Sequence, residues 1–301
     1  MHTMVTQFLI SGIVLLSLLC LGRMLWQLRR QPKAAISSSM YGKLSLSGIL
    51  AFIADTLGLG SFAVNIALAK LLNTFKDEEL PAVNNGAQVL PGMIESLFFM
   101  QAIHVDLTML TLLIMGTCLG GILGGKLVSR LSKQAIRLAM MSCFALVMLL
   151  LLAHQLHWLP SSGTVMVLHG GPLMVAFIAM IICGILTSVG IGLFVLVQGV
   201  LFVLNVSPLV AFPIMTAAGA MQQPLTTWVF LQEGKIPVQK TLVLSLAGCV
   251  GVGLALSVFT HLSISGLHSL LFLIVMYNFY AVTRAYLNDK QLRIQAIKLS
   301  T

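Results

Sequence analysis

The stretch 44–73, LSLSGILAFIADTLGLGSFAVNIALAKLLN, decides which fold we expect for this chain. It is mostly apolar over about 30 residues, whereas a helix needs only ~20 residues to cross the ~30 Å hydrocarbon layer of a membrane. Gly58 and Gly60 stand near its middle, and glycines so placed break a helix and permit a sharp turn. The stretch is therefore either one long kinked crossing or two half-helices folded back as a hairpin.

A second stretch of the same kind covers 173–204, where Gly190 and Gly192 stand near the middle. Two pairs of motifs recur along the chain at a nearly constant spacing. Thr56-Leu-Gly-Leu-Gly-Ser-Phe62 matches Ser188-Val-Gly-Ile-Gly-Leu-Phe194 at a spacing of 132 residues, and Thr117-Cys-Leu-Gly120 matches Gly248-Cys-Val-Gly251 at 131. This spacing predicts two repeats, each a hairpin followed by three membrane spans. Because three crossings is an odd number, the second copy must be inverted, which places a substrate site near the membrane midplane.

The composition predicts an all-α membrane protein. Hydrophobic residues make up 58% of the 301 and charged residues only 8%, against roughly 25% charged in soluble domains. The net charge of +9 lies between the apolar runs, which is typical of membrane-protein loops and not of a nucleic-acid-binding surface. The remaining apolar runs are 4–28, 82–102, 106–128, 135–157, 209–231, 239–260 and 266–287.

The loop charges favour hairpins over crossings for both broken stretches. The basic segments are 29–43, 126–137, 235–240 and 284–298, whereas the loops 103–105, 158–172, 205–208 and 261–266 contain no Lys or Arg. If both stretches are hairpins, all the basic segments fall on one side, as the positive-inside rule requires. We therefore predict about seven full transmembrane helices and two re-entrant broken-helix hairpins. The N-terminus would be outside and the C-terminus cytoplasmic, in the plasma membrane of a bacterium.

This topology divides the chain into four parts. We expect an N-terminal transmembrane helix with a basic cytoplasmic loop over 1–41, a first repeat over 42–158, a second, inverted repeat over 172–287, and a cytoplasmic tail over 288–301.

The glycine turns are candidate anion-binding positions. Each turn precedes the start of a half-helix, whose free N–H groups carry about half a positive charge. Two such starts facing the midplane would hold an anion without any Lys or Arg. The alternative is that the glycines only allow close helix packing. The candidate residues are Gly58, Gly60, Ser61, Gly190 and Gly192.

Polar residues mark the spans that follow the two hairpins. In 82–102, Asn84, Gln88 and Glu95 share one helix face, and 209–231 contains Gln222 and Gln223. Polar side chains in a span usually face the protein interior or a water path. We expect the three glutamines, at 88, 222 and 223, to bind substrate, with helix-to-helix hydrogen bonding as the alternative. Asn84 and its neighbour Asn85 fall near the cytoplasmic end, where an interfacial or capping role is expected.

Asp55 and Glu95 are the only acids deep within the apolar runs. A charged carboxylate is costly to bury in such surroundings, so either residue could take up and release a proton during transport. The alternative is a protonated acid that is hydrogen-bonded for structure alone.

These motifs resemble the sulfite exporter TauE/SafE family of membrane permeases. The resemblance rests on Gly48-Ile-Leu-Ala-Phe-Ile-Ala-Asp-Thr-Leu-Gly-Leu-Gly60, on Gly184-Ile-Leu-Thr-Ser-Val-Gly-Ile-Gly192, and on the small-residue run 116–125 with the basic segment 126–133 after it, and it covers about 42–285. It implies transport of sulfite, organosulfonates or related sulfur-containing or carboxylate anions. Asp55 departs from the family pattern, which has a small residue there, and an acid at this position weakens a simple anion site.

Other classes of protein find little support in the sequence. There is no nucleophile–base pair, phosphate-binding loop or redox motif, so we expect no enzyme activity and no cofactor. The 17 methionines are scattered and predict no metal site. The expected partners are a small anionic solute, a proton and the lipid bilayer, with a homodimer left open and no nucleic acid. The alternative functions are a metal-ion permease and a non-transporting membrane subunit.

Overall fold

The computed structural model describes residues 2–30, 36–102, 105–156, 163–258, 273 and 275–288, and in these residues the chain is helical. The described residues contain no β-strand, only an isolated bridge between Val165 and Val206. The helices are α1 His2–Arg30, α2 Ser38–Thr56, α3 Ser61–Leu72, α4 Leu80–Ala102, α5 Leu107–Ser129, α6 Lys133–Gln155, α7 Gly170–Val189, α8 Leu193–Val203, α9 Pro208–Gln232, α10 Val238–Val258 and α11 275–288.

The helices confirm an all-α membrane protein. Four segments are long and apolar enough to cross a membrane, namely Gln7–Arg30, Leu107–Ser129, Gly170–Val189 and Val238–Ser257. Large apolar side chains also face outward. On α5, Leu119, Leu123 and Leu127 are each about half exposed and recur at a spacing of four residues, so they form one outer face. A continuous apolar outer face of this kind is suited to lipid.

The first broken stretch is a helical hairpin. The helix α2 ends at Thr56 and α3 begins at Ser61, and the turn between them holds Gly58 and Gly60 at φ values of 87° and 82°. The open ends of the two helices lie together, because Lys43 Nζ donates a hydrogen bond to the Leu72 carbonyl at 3.3 Å. The arms are unequal, with 19 residues in α2 and 12 in α3. The difference arises because α2 begins at Ser38, six residues before the apolar stretch 44–73, while the break itself lies at the middle of that stretch.

The second broken stretch has the same form. The helix α7 ends at Val189, the turn places Gly190 at φ 114°, and α8 begins at Leu193. Its open ends are joined by two backbone hydrogen bonds. The Val165 N–H donates to the Asn205 carbonyl at 2.9 Å, and the Ser207 N–H donates to the Val165 carbonyl at 2.8 Å.

The two hairpins open at opposite ends of the helix bundle. The first opens beside the start of α10, where Lys240 Nζ donates to the Thr74 carbonyl at 3.0 Å. Here too Arg137, in the first turn of α6, donates to the Ala285 carbonyl of α11. We call this the basic end. The second hairpin opens beside the start of α5, where the Leu168 N–H approaches Met109 Sδ. The described loops at this opposite end, 105–106, 163–169 and 204–207, contain no Lys or Arg.

Glycines allow the first helix of each hairpin to touch a helix of the other half of the chain. A Cβ on Gly48 of α2 would lie 2.4 Å from the Leu244 carbonyl oxygen and 3.1 Å from the Gly248 nitrogen. A Cβ on Gly184 of α7 would lie 2.3 Å from the Thr117 carbonyl oxygen and 2.8 Å from the Gly121 nitrogen. No side chain larger than hydrogen fits at either place without movement of a backbone.

These contacts pair the two halves of the chain differently from the motif spacing. They match Gly48 with Gly184, 136 residues apart, and Thr117 with Leu244, 127 residues apart. Each differs by about one helical turn from the spacing of 131 or 132 between the motifs. The helices of the two halves therefore make the same kind of contact, but the contacting residues are shifted by about one helical turn from the positions that the motifs would match.

Candidate functional site

A closed ring of hydrogen bonds surrounds the first glycine turn. Asp55, in the last turn of α2, accepts from the Ser61 backbone N–H at 2.6 Å and from Gln88 Nε2 of α4. Ser61 Oγ in turn donates to Gln88 Oε1 at 2.5 Å. All three residues are at most 3% exposed. The structure therefore brings together three of the residues that the sequence predicts for the site.

Glu95 joins this cluster through Thr56. Thr56 Oγ1 lies 2.6 Å from Glu95 Oε1 and 2.9 Å from the Phe52 carbonyl oxygen. A hydroxyl group has one proton to donate. If that proton goes to the Phe52 carbonyl, the bond to Glu95 needs a proton from Glu95 itself. Both bonds are complete when Glu95 is protonated and donates to Thr56.

The two acids also influence each other. Asp55 and Glu95 are both buried and interact electrostatically, so ionisation of one disfavours ionisation of the other. Asp55 is the acceptor in its bonds to Ser61 and Gln88, which suits an ionised carboxylate. The arrangement therefore fits one proton held between two carboxyl groups that are otherwise buried from water.

The two glycine turns meet inside the bundle. A Cβ on Gly192 would lie 3.9 Å from Gly60 Cα and 4.0 Å from Phe62 Cβ. The other two turn glycines line the flanks of this meeting point. Gly58 faces the Phe212 ring of α9, and Gly190 faces Pro81 and the Asn84 amide of α4.

The starts of the two short helices differ in charge. At α3, the first N–H group is already bound by Asp55, so an anion there would meet a carboxylate. At α8, Gly192 is the N-cap, and among the described residues no side chain accepts a hydrogen bond from the N–H groups of its first turn. Of the two predicted anion-binding turns, only the second offers a helix start that no acid occupies.

The side chains of Gln222 and Gln223 on α9 contact different neighbours. Gln223 lies next to Gln88, because both side chains lie within 4 Å of the Cβ position of Gly92. Gln222 instead lies against α5, where its side chain packs on Gly121. Its Nε2 donates to Thr226 Oγ1, one turn farther along α9, at 2.6 Å. The structure therefore places Gln223 beside the cluster and Gln222 in a helix contact.

An asparagine pair was missed as part of the site. Asn65 Nδ2 of α3 donates to Asn84 Oδ1 of α4 at 2.5 Å, and both residues are 2% exposed. The interfacial or capping role expected for Asn84 and Asn85 is wrong, since both are buried within the bundle. One signal existed for Asn65, which follows Ser61 by four residues and so shares its helix face.

An ion-pair cluster closes the basic end of the bundle. Asp77, in the loop before α4, binds both Lys70 of α3 and Arg137 of α6. Burial alone would raise the pKa of Asp77, but the hydrogen bonds and charges of Lys70 and Arg137 outweigh it and lower that pKa below its usual value. The charged cluster ties the first hairpin to the peripheral helix α6.

Among the described residues, no group of three or more His, Cys, Asp or Glu side chains could hold a metal ion.

No family model, no curated protein and no solved structure matches this chain. The resemblance to the TauE/SafE family therefore rests on the motifs quoted above.

Proposed function

We propose that this chain is a secondary transporter of a small anion, coupled to protons and working by alternating access. The substrate class is sulfite, an organosulfonate or a related sulfur-containing or carboxylate anion, as the resemblance to the TauE/SafE family suggests. The observation that carries the proposal is the meeting of two broken-helix turns beside a buried pair of carboxyl groups, Asp55 and Glu95.

The hairpin geometry supports a re-entrant topology. Each hairpin has both open ends at one end of the bundle, as a segment that enters and leaves a membrane on the same side must have. The basic end collects Lys43, Lys70, Arg137 and Lys240, which favours a cytoplasmic position for it. This assignment puts the N-terminus outside and the C-terminus in the cytoplasm of a bacterial cell.

The same geometry supports two inverted repeats. One hairpin opens at the basic end and the other at the opposite end, and the glycine contacts of α2 with α10 recur in α7 with α5. Tips that enter from opposite sides and touch at Gly60 and Gly192 lie near the middle of the membrane. Broken helices that meet at the midplane are the usual substrate position in inverted-repeat transporters.

A cavity supports access from the basic end. It has a volume of about 310 Å³, and Pro81, Ala82 and Lys235 are among its lining residues. One of these residues lies beside the second glycine turn, since Pro81 Cα would lie 3.7 Å from a Cβ on Gly190. The carboxyl cluster beyond remains buried. The conformation is therefore one in which the basic end is open to a cavity and the site itself is closed.

The carboxyl pair supplies the coupling. Release of the shared proton would leave two negative charges side by side in a buried site, which is strongly unfavourable. The protein would thus bind an anion well only in the state that keeps the proton. Movement of the proton and the anion would then be linked without any metal or nucleotide.

Flux measurements on reconstituted protein test the proposal. Proteoliposomes should move sulfite or a sulfonate when a pH gradient is applied, and Glu95→Gln should abolish the response to the gradient. Glu233→Gln is the matched control, because Glu233 is exposed at the end of α9. Unchanged pH-driven flux in Glu95→Gln would show the proton site to be misassigned. No flux with any anion, together with copper(I) binding that depends on methionines or stable co-purification with a partner, would favour one of the alternative functions.

A further inference from the structure

The asparagine pair at the second glycine turn has unused hydrogen-bonding groups. Asn65 and Asn84 share one hydrogen bond, yet Asn65 Oδ1 and Asn84 Nδ2 are buried without a partner. A buried polar atom left unpaired costs about 1–3 kcal/mol. If both amides are turned over, the pair still leaves one N–H₂ group and one carbonyl unused. The pair therefore always offers a donor and an acceptor side by side.

One of these free groups lies beside the second glycine turn. A Cβ on Gly190 would lie 3.8 Å from Asn84 Nδ2, and the Gly190 turn leads into α8, whose first-turn N–H groups bind no side chain among the described residues. The amide donor and the start of α8 thus flank the same turn. Pro81 lines the cavity at the basic end, and its Cα would lie 3.7 Å from the same Cβ, so the cavity comes close to this turn.

We infer that Asn65 and Asn84 form a subsite for an oxyanion that still carries a proton. The anionic oxygen would accept from the free N–H₂ group and from the N–H groups at the start of α8. The hydroxyl of the same ligand would donate to the free amide carbonyl. A fully ionised oxyanion or a sulfonate has no proton to donate, so it would leave that carbonyl unpaired and facing negative oxygens.

This inference rests on the proposed function and names the protonation state that the site selects. A site built to hydrogen-bond a ligand group discriminates strongly against an analogue that lacks it, because the buried partner is left unpaired. Hydrogensulfite and methanesulfonate make a suitable pair of probes, since both are singly charged sulfur oxyanions and only the first carries an acidic proton.

Binding of the two probes to the purified full-length chain tests the inference. Isothermal titration should give a tighter Kd for hydrogensulfite than for methanesulfonate by roughly tenfold or more, about the effect of one buried hydrogen bond. This comparison needs no variant, so it stands even if substitutions impair folding. Raising the pH until hydrogensulfite is converted to sulfite should weaken its binding more than that of methanesulfonate, which depends only on the proton of the carboxyl pair.

Variants locate the effect. Asn65→Leu and Asn84→Leu should each bring the two Kd values together, whereas Asn278→Leu should keep the wild-type ratio. Asn278 is an equally buried asparagine on α11 that donates to the Ala63 carbonyl. Equal affinities in the wild type, or an unchanged ratio in both site variants, would overturn the inference. In that case, sulfite flux would still support the proposed function. A chain that neither binds nor moves any oxyanion would contradict both the subsite and the proposed function.

Discussion

Replacing Gly251 of α10 by alanine should destabilise the bundle, whereas the same change at Gly253 should not. A Cβ on Gly251 would lie 2.4 Å from the carbonyl oxygen of Ile49 on α2, roughly 1 Å closer than a favourable contact. The obstacle is backbone, so rotation of a side chain cannot relieve it. A Cβ on Gly253, two residues farther along, would meet nothing within 4 Å.

The size of the effect follows from this difference. Forcing an extra carbon into a packed helix contact typically costs ~1–3 kcal/mol, while alanine in place of glycine in an open helix position contributes up to ~1 kcal/mol of stability. The propensity gain applies to both variants, so they should differ in free energy of unfolding by the packing cost, about 1–3 kcal/mol. At roughly 2–4 °C for each kcal/mol, Gly251→Ala should unfold several degrees below Gly253→Ala.

Unfolding in mixed micelles, followed by circular dichroism, measures this difference. Because the same contacts recur in the second half of the chain, Gly48→Ala and Gly184→Ala should lose similar amounts of stability. If Gly251→Ala and Gly253→Ala unfold alike, α2 and α10 are not in backbone contact. The position of the first hairpin, and with it Asp55, would then be wrong.

Three further predictions concern the ends of the bundle and the site. Asp77→Asn should cost about 3 kcal/mol at neutral pH, since it removes one side of a buried ion pair. The pKa of Asp77 is lowered in the folded state. The stability that its ion pairs contribute is therefore present above the pKa of the unfolded state and is lost as the pH falls through the folded pKa. The melting temperatures of the wild type and Asp77→Asn should converge in acid. In a cysteine-free background, a membrane-impermeant maleimide should label Thr164→Cys from outside intact cells and fail to label Ser132→Cys, and labelling of both would contradict the hairpin topology. Ser61→Ala should cost about 1 kcal/mol through the lost bond to Gln88, measured by the same unfolding assay, and a variant as stable as the wild type would contradict that bond.

The helices and their breaks could be predicted from the sequence because they depend on local properties. The lengths of the apolar runs place the spans near the observed helices, and the glycine turns fall where Gly58 and Gly190 take up positive φ. The unequal arms could not be predicted, because helix ends depend on what each arm packs against. The pairing of the two halves also escaped prediction, since backbone contacts of Gly48 and Gly184 depend on how the helices slide past each other.

The site was only partly predictable for the same reason. Asp55 and Ser61 are six residues apart, and their bond follows from a turn that the glycines already indicate. The bond between Thr56 and Glu95 joins residues 39 apart on different helices. Whether a polar residue faces the site or a neighbouring helix is set by helix rotation, which periodicity alone does not determine. Asn84 was expected at an interface on that account, whereas it is buried within the bundle; Gln222 lies against α5, and its predicted substrate contact stays a prediction.

The acid at Asp55 is the feature that an anion transporter must explain, and the difference between the two turns accounts for it. The motif spacing matches Asp55 with Thr187, and the glycine contacts match it with Ile191; neither is an acid. The first turn therefore has its helix start bound by a carboxylate, while the second has a helix start without an acid and an amide pair with unused groups. In the proposed cycle the first glycine turn handles the proton, and the anion binds at the second turn, between the start of α8 and the asparagine pair of the first half. Because the two turns touch at Gly60 and Gly192, the charge on each is felt by the other through a region from which water is excluded, where electrostatic interactions are strongest.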